Sequence, residues 1–147
     1  MLGLFLSLAF FKSKAQCNAV TYSQSPSNNG CAYDYISNVS FSTINRSSTC
    51  DNSYILVSTP NPTLTQGLSY LLSITTGGDV EGVRAWIDYD INGIFNNTGG
   101  TELVLGPSFA NTNPATYTVM VTIPITSSVG ATRLRTRCRY NGAPLDA

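Results

Sequence analysis

Ala85-Trp86-Ile87-Asp88-Tyr89-Asp90-Ile91-Asn92-Gly93-Ile94-Phe95 is the stretch on which the fold turns. Its first half continues a period-two run in which Val83, Ala85, Ile87 and Tyr89 share one side and Arg84, Trp86 and Asp88 the other. That is the repeat of a strand. Its second half changes character. Asp88-x-Asp90-x-Asn92-Gly93 puts alternate oxygen-bearing side chains on the inside of a tight loop, and Gly93 supplies the positive φ that such a loop needs. Calcium is the ion expected for this order of hard oxygens, with Asp88, Asp90, Asn92 and Glu102 as candidate ligands. The opening matches an EF-hand loop, but the twelfth loop position falls on Gly99 and the acid comes three residues later, at Glu102. The runs Val83 to Tyr89 and Thr101 to Leu105 read as strands, which points to a β-loop instead of paired helices. An ion-free reading stands beside this one, because Asp and Asn ahead of Gly also close Asx-turns on their own backbone.

Outward from this loop the chain is a series of alternating runs broken by turn residues, and no stretch shows a helical repeat. Tyr33, Tyr35, Val39 and Phe41 line one face of an expected first strand, interrupted at Ser37, and Ser53 to Ser58 reads as a second. Leu68, Tyr70, Leu72 and Ile74 form the buried side of a third, ending at Gly77-Gly78. After Leu103 to Leu105 comes the cleanest alternation: Ala115, Tyr117, Val119, Val121 and Ile123 against Thr116, Thr118, Met120 and Thr122. A last run spans Thr132 to Tyr140. About seven short antiparallel strands at this spacing predict an all-β fold, a single two-sheet sandwich of the jelly-roll or immunoglobulin-like kind.

Residues 1–11 are almost wholly apolar, too short a run to span a bilayer but of the length of a signal-peptide core. Ser13 and Ala15 provide small residues for cleavage after Ala15, so residues 1–15 are expected to be a secretory signal, with its start missing, and residues 16–147 one domain. Eight acidic residues balance eight basic ones, which argues against nucleic acid as a partner. The absence of histidine removes the usual general base, the commonest zinc ligand and every Ser-His or Cys-His arrangement. Cys17, Cys31, Cys50 and Cys138 are spaced for neither a redox nor a zinc motif, and an exported chain would use them as two disulfides. Three pairings are open; Cys17 with Cys31 and Cys50 with Cys138 is favoured, the second tying an early segment to the last strand.

Arg133, Arg135, Arg137 and Arg139 share one face of that last strand, with Leu134, Cys138 and Tyr140 on the other. Two readings compete. The guanidinium ladder, with Trp86, suits a ligand face for an acidic polysaccharide through bidentate bonds. The structural reading has the ladder neutralised by carboxylates of a neighbouring strand, with Asp79, Glu81, Asp88 and Asp90 as candidates.

Tyr35-Ile36-x-x-Val39, Cys50-x-x-Ser53-Tyr54, Leu64-x-x-Gly67-x-x-Tyr70, Trp86-Ile87-Asp88-Tyr89-Asp90-x-Asn92-Gly93-x-Phe95 with Glu102, Ile123-Pro124 and Gly130-x-Thr132-Arg133-Leu134-Arg135 follow one another in an order that resembles the GEVED domain. The resemblance covers most of residues 16–147. It implies an exported protein of a Bacteroidetes-type bacterium, in which such domains stand beside proteases, fibronectin-like modules and a C-terminal secretion or anchoring signal. The Gly-Glu-Val-Glu-Asp segment that names the family does not occur in the sequence, so the resemblance implies a fragment lacking its last strand.

Three functions follow as expectations. The first is a non-catalytic accessory or adhesion module of a secreted or surface protein, with a calcium-stabilised loop and a polysaccharide or host glycan as partner beside the other domains of its own polypeptide. The second is a glycoside hydrolase using Asp88 or Asp90 with Glu102, since paired carboxylates are the minimum for that chemistry. The third is a structural spacer without a ligand.

Overall fold

The computed structural model describes residues 34–49, 61–96 and 101–142. Seven strands occupy them: β1 (Asp34–Phe41), β2 (Ile44–Ser47), β3 (Ser69–Gly78), β4 (Glu81–Ile87), β5 (Leu103–Phe109), β6 (Thr116–Thr122) and β7 (Leu134–Tyr140). All pairings are antiparallel, in a four-stranded sheet β2-β1-β3-β6 and a three-stranded sheet β5-β4-β7. Among the described residues no helix is long and apolar enough to cross a membrane. The expected all-β sandwich is the architecture found.

The core lies between the sheets. Phe41, Leu72, Ile74, Tyr117 and Val121 of the larger sheet meet Val83, Ala85, Ile87 and Leu105 of the smaller one, each burial contributing roughly 1.5–3 kcal/mol for a large aliphatic side chain. β6 keeps the alternation of its sequence, with Tyr117 and Val121 inside and Thr116, Thr118, Met120 and Thr122 exposed. On the outward face, Ser69 and Thr122 share a hydroxyl bond at 2.7 Å, and Thr75 and Thr116 one at 3.0 Å. β4 is the central strand of its sheet and is buried on both sides, which explains a run so rich in apolar residues.

Four details correct the sequence reading. A bulge at Ser37, between Ile36 and Asn38, reverses the alternation of β1. Ile36 therefore joins Val39 at the core, while the Tyr35 ring lies over Gly77 on the other side; the Ser37 hydroxyl donates to the carbonyls of Thr75 and Thr76, each at 3.1 Å. Leu68 is 54 % exposed, because it belongs to the turn ahead of β3, where Gly67 has φ 79°. β5 runs on past Leu105, with Gly106 and Pro107 together facing Arg84 in a bulge that an edge strand tolerates. β2, Ile44–Ser47, is a strand that the polar sequence did not announce. The strand expected over Ser53 to Ser58 lies outside the described residues, as do Tyr33, the expected signal segment 1–15, Cys17, Cys31 and Cys50. Cys138 sits half-buried on β7 opposite Val83 and packs against the core.

Candidate metal centre at the end of the central strand

β4 and β5 form a hairpin whose connection holds the acidic loop. Trp86 pairs with Leu103, and the Ile87 N–H donates to the Glu102 carbonyl at 2.8 Å. Asp88 leaves the hairpin immediately after one strand and Glu102 enters immediately before the other. Register alone thus brings together two carboxylates that are fourteen positions apart in the chain.

The loop is organised by carboxylates accepting backbone N–H groups. Asp88 Oδ1 accepts from Asn92 at 3.2 Å and Asp88 Oδ2 from Gly93 at 2.9 Å, while Asp90 Oδ1 accepts from Asn92 at 3.1 Å. Glu102 Oε1 accepts from Tyr89 at 3.2 Å and Oε2 from Asn96 at 2.9 Å. Asp88 is fully buried and Glu102 is 3 % exposed, so these bonds take the place of water around two charged groups. Gly93 has φ 84°, as the turn requires, and Ile91 is held at φ 59°, a rare conformation for a β-branched residue that costs about 1–3 kcal/mol. The connection from β6 to β7 walls the loop: Ser128 N–H donates to the Tyr89 carbonyl at 2.8 Å, the Ser128 hydroxyl to that of Asp90 at 3.2 Å, and the Thr132 hydroxyl to that of Asp88.

Asp88, Asp90 and Glu102 each offer an oxygen such that all three lie within 4.8 Å of one another. Oxygens bound to one Ca²⁺ at about 2.3–2.6 Å are at most about 5.2 Å apart, so the spacing fits a single ion. Asn92, the fourth predicted ligand, is exposed; its Oδ1 accepts the Ile94 N–H at 2.7 Å and its amide donates to Asp90 Oδ2 at 2.7 Å. These are the Asx-type bonds of the ion-free alternative, and each acceptor oxygen involved has a second lone pair available for a cation. Beside the cluster opens a cavity of about 180 Å³, whose lining includes Tyr89, Asp90, Glu102 and Ser127. Burial, reinforced by the charge of Glu102, pushes the Tyr89 phenol up from 10.0 to about 12.

Residues 82–147 match the family model of the GEVED domain. The GEVED match begins at Gly82 in β4 and takes in the acidic loop, Glu102, β5, β6 and β7, whereas β1 to β3 precede it. The match suggests an accessory module of a larger protein. Comparison with curated proteins and with solved structures finds no match.

The arginine ladder lies on the same GEVED segment. Register places Arg135 opposite Trp86, Arg137 opposite Arg84 and Arg139 opposite Gly82, so Arg84 joins the ladder, which the sequence reading did not include. Arg133 stands just ahead of β7, where its carbonyl accepts the Asp88 N–H at 3.2 Å. The Arg135 guanidinium lies 4.8 Å from the centroid of the Phe95 ring, a cation–π contact. Trp86 is fully buried and outside the main core cluster, so its ring presents no face to a ligand. Among the carboxylates considered for the ladder, Glu81 turns the other way. It is buried, and its Oε1 accepts the Tyr35 N–H at 2.8 Å, linking the two sheets. Sequence reasoning missed Tyr89 and Ser127 as parts of the site. Tyr89 alternates with core residues, and Ser127 is one hydroxyl in a polar loop; only the folded β6–β7 connection brings it to the cavity that Glu102 also lines.

Proposed function

We propose that the chain serves as a non-catalytic accessory or adhesion module of an exported protein, with a corner made rigid by Ca²⁺ held among Asp88, Asp90, Asn92 and Glu102. The observation that carries this reading is the convergence of three carboxylate oxygens within 4.8 Å at the mouth of a hairpin. Like charges at that separation repel by on the order of 3 kcal/mol per pair at an effective dielectric near 20, a cost that a divalent cation reverses. Asp88 and Asp90, two residues apart, both accept backbone N–H groups of the same loop, an arrangement suited to gripping a cation and not to flanking a glycosidic bond. The apolar leader-like run in residues 1–11 supports an exported setting. In this role the ion ties the end of β4 to the start of β5 and fixes the surface above them. Calorimetric titration of the chain with CaCl₂ tests the reading: one site is expected, lost in Asp88→Asn, and no heat of binding in the parent chain would refute it.

A further inference from the structure

Among the described residues the two sheets end in four edge strands, β2 and β6 in the larger and β5 and β7 in the smaller. An edge offers a row of unpaired N–H and C=O groups to any other strand, and proteins blunt such edges with brevity, charge, proline or a bulge. Three of these edges carry a device of that kind. β2 is four residues long and includes Arg46, β5 holds Pro107 and breaks in register, and β7 bears Arg135, Arg137 and Arg139. β6 carries none. Thr116-Tyr117-Thr118-Val119-Met120-Val121-Thr122 has no charge, glycine or proline, is rich in β-branched residues, and pairs with β3 in unbroken register.

The hydrogen bonds at the two ends of β6 fix which backbone groups face outwards. Thr76 N–H donates to the Ala115 carbonyl and Ile123 N–H to that of Leu68, each at 2.9 Å, so the odd-numbered residues of this stretch direct their N–H and C=O at β3. Those of Thr116, Thr118, Met120 and Thr122 therefore point off the sheet, where no strand pairs with them among the described residues.

We propose that β6 is a self-association edge, on which β6 of a second copy of this chain pairs antiparallel about a two-fold axis at Val119. That register sets Thr116 opposite Thr122 of the second copy and Thr118 opposite Met120, so every outward N–H and C=O of these residues is paired and two four-stranded sheets become one. The side chains suit the same register. On the core side Val119 meets its own copy and Tyr117 meets Val121. On the solvent side hydroxyl meets hydroxyl at Thr116 and Thr122, as it already does between Ser69 and Thr122 at 2.7 Å and between Thr75 and Thr116 at 3.0 Å. A two-fold axis lays a strand against its own sequence, where any charge would stand near its like; β6 has no charge, which favours a second copy over a partner chosen by electrostatics. One strand edge covers less than the roughly 800 Å² a side of a standard interface, so the dimer is weak, and it is closed because each copy has used its edge.

Sedimentation velocity of the full chain from about 10 μM to about 1 mM tests this, with a monomer–dimer equilibrium expected and nothing larger. Thr118→Lys, which puts a charge on the edge, is expected to raise the dissociation constant at least about tenfold. Thr118→Pro, which removes an N–H that β3 does not use, is expected to do the same; should it fail to fold, the lysine variant, with its side chain in solvent, still decides. Ser47→Lys, on the edge of β2, is expected to leave the constant unchanged. In amide exchange the Thr118 and Met120 N–H groups should gain protection as concentration rises, while that of Val119, bonded to β3, is protected throughout. A chain monomeric over the whole range overturns the proposal. So does a dimer that Thr118→Lys leaves intact, since it places the interface elsewhere, and so does growth beyond the dimer.

Discussion

Glu102 accepts the backbone N–H of Tyr89 through Oε1 at 3.2 Å, across a hairpin loop that begins at Asp88. Its other oxygen accepts Asn96 at 2.9 Å, so one buried side chain fixes both limbs of the loop before any ion is considered.

Glu102→Gln therefore separates the carboxylate's structural work from its charge. The amide is isosteric, but one end becomes a donor facing the N–H of Tyr89 or Asn96, and that N–H loses its acceptor. In chelator, the variant is expected to be less stable by about 1–3 kcal/mol in urea unfolding. A change within about 0.5 kcal/mol, the range of ordinary surface substitutions, would show that these bonds do not organise the loop.

Tyr89 gives the site a signature at high pH. Burial first, and the Glu102 charge second, hold its phenol proton up to about 12 against an ordinary 10.0. The unfolded chain releases this proton near 10, so the contribution to stability is complete below about pH 10 and is lost as pH rises through 12. In ultraviolet titration a late-ionising tyrosine is expected, and added calcium, by offsetting Glu102, should bring it earlier. A titration without any late component would contradict the placement of Tyr89.

Trp86 is the only tryptophan and is fully buried. Its emission should be blue-shifted, hardly quenched by acrylamide until the chain unfolds, and unchanged in intensity by sugars. Quenching as efficient in the folded as in the unfolded protein would return the indole to the surface and revive it as a stacking platform.

Gly82 and Gly106 form a paired test of the smaller sheet. A Cβ on Gly82 would stand 2.5 Å from the Gly142 carbonyl oxygen and 2.7 Å from that of Ser108, backbone atoms that cannot swing aside. Gly82→Ala is expected to lower stability by about 1–3 kcal/mol. Gly106→Ala, with nothing within 4 Å of the new Cβ, is expected to cost little. Equal effects on thermal unfolding would contradict the register of β4 between β5 and β7.

Much of this was legible because a half-buried strand writes its two faces into alternate residues. Tyr117 and Val121 against Thr116, Thr118 and Met120 gave β6 its orientation, and Val83, Ala85 and Ile87 gave β4 its core face. β2 was not legible. It is an edge strand whose Asn45, Arg46 and Ser47 are exposed, so burial left no pattern on it. The bulge at Ser37 was visible as an interruption, yet its consequence for Tyr35 depends on pairing with β3. At the site, Asp88, Asp90 and Asn92 were legible from spacing within one loop. The meeting of Asp88 with Glu102 comes from hairpin register, and the placing of Glu102 and Ser127 on one cavity wall from packing of a distant connection. Neither leaves a local mark in the sequence.

The most direct test of the calcium corner is the melting temperature of the protein in CaCl₂ and in chelator, with Asp88→Asn alongside. At free calcium about a hundredfold above Kd, linkage contributes about 2.7 kcal/mol. At about 4 °C per kcal/mol for a domain of this size, that raises Tm by about 10 °C over the chelated protein. Asp88→Asn should melt at the same temperature in both. Superimposable melts of the parent protein in calcium and in chelator would contradict the account.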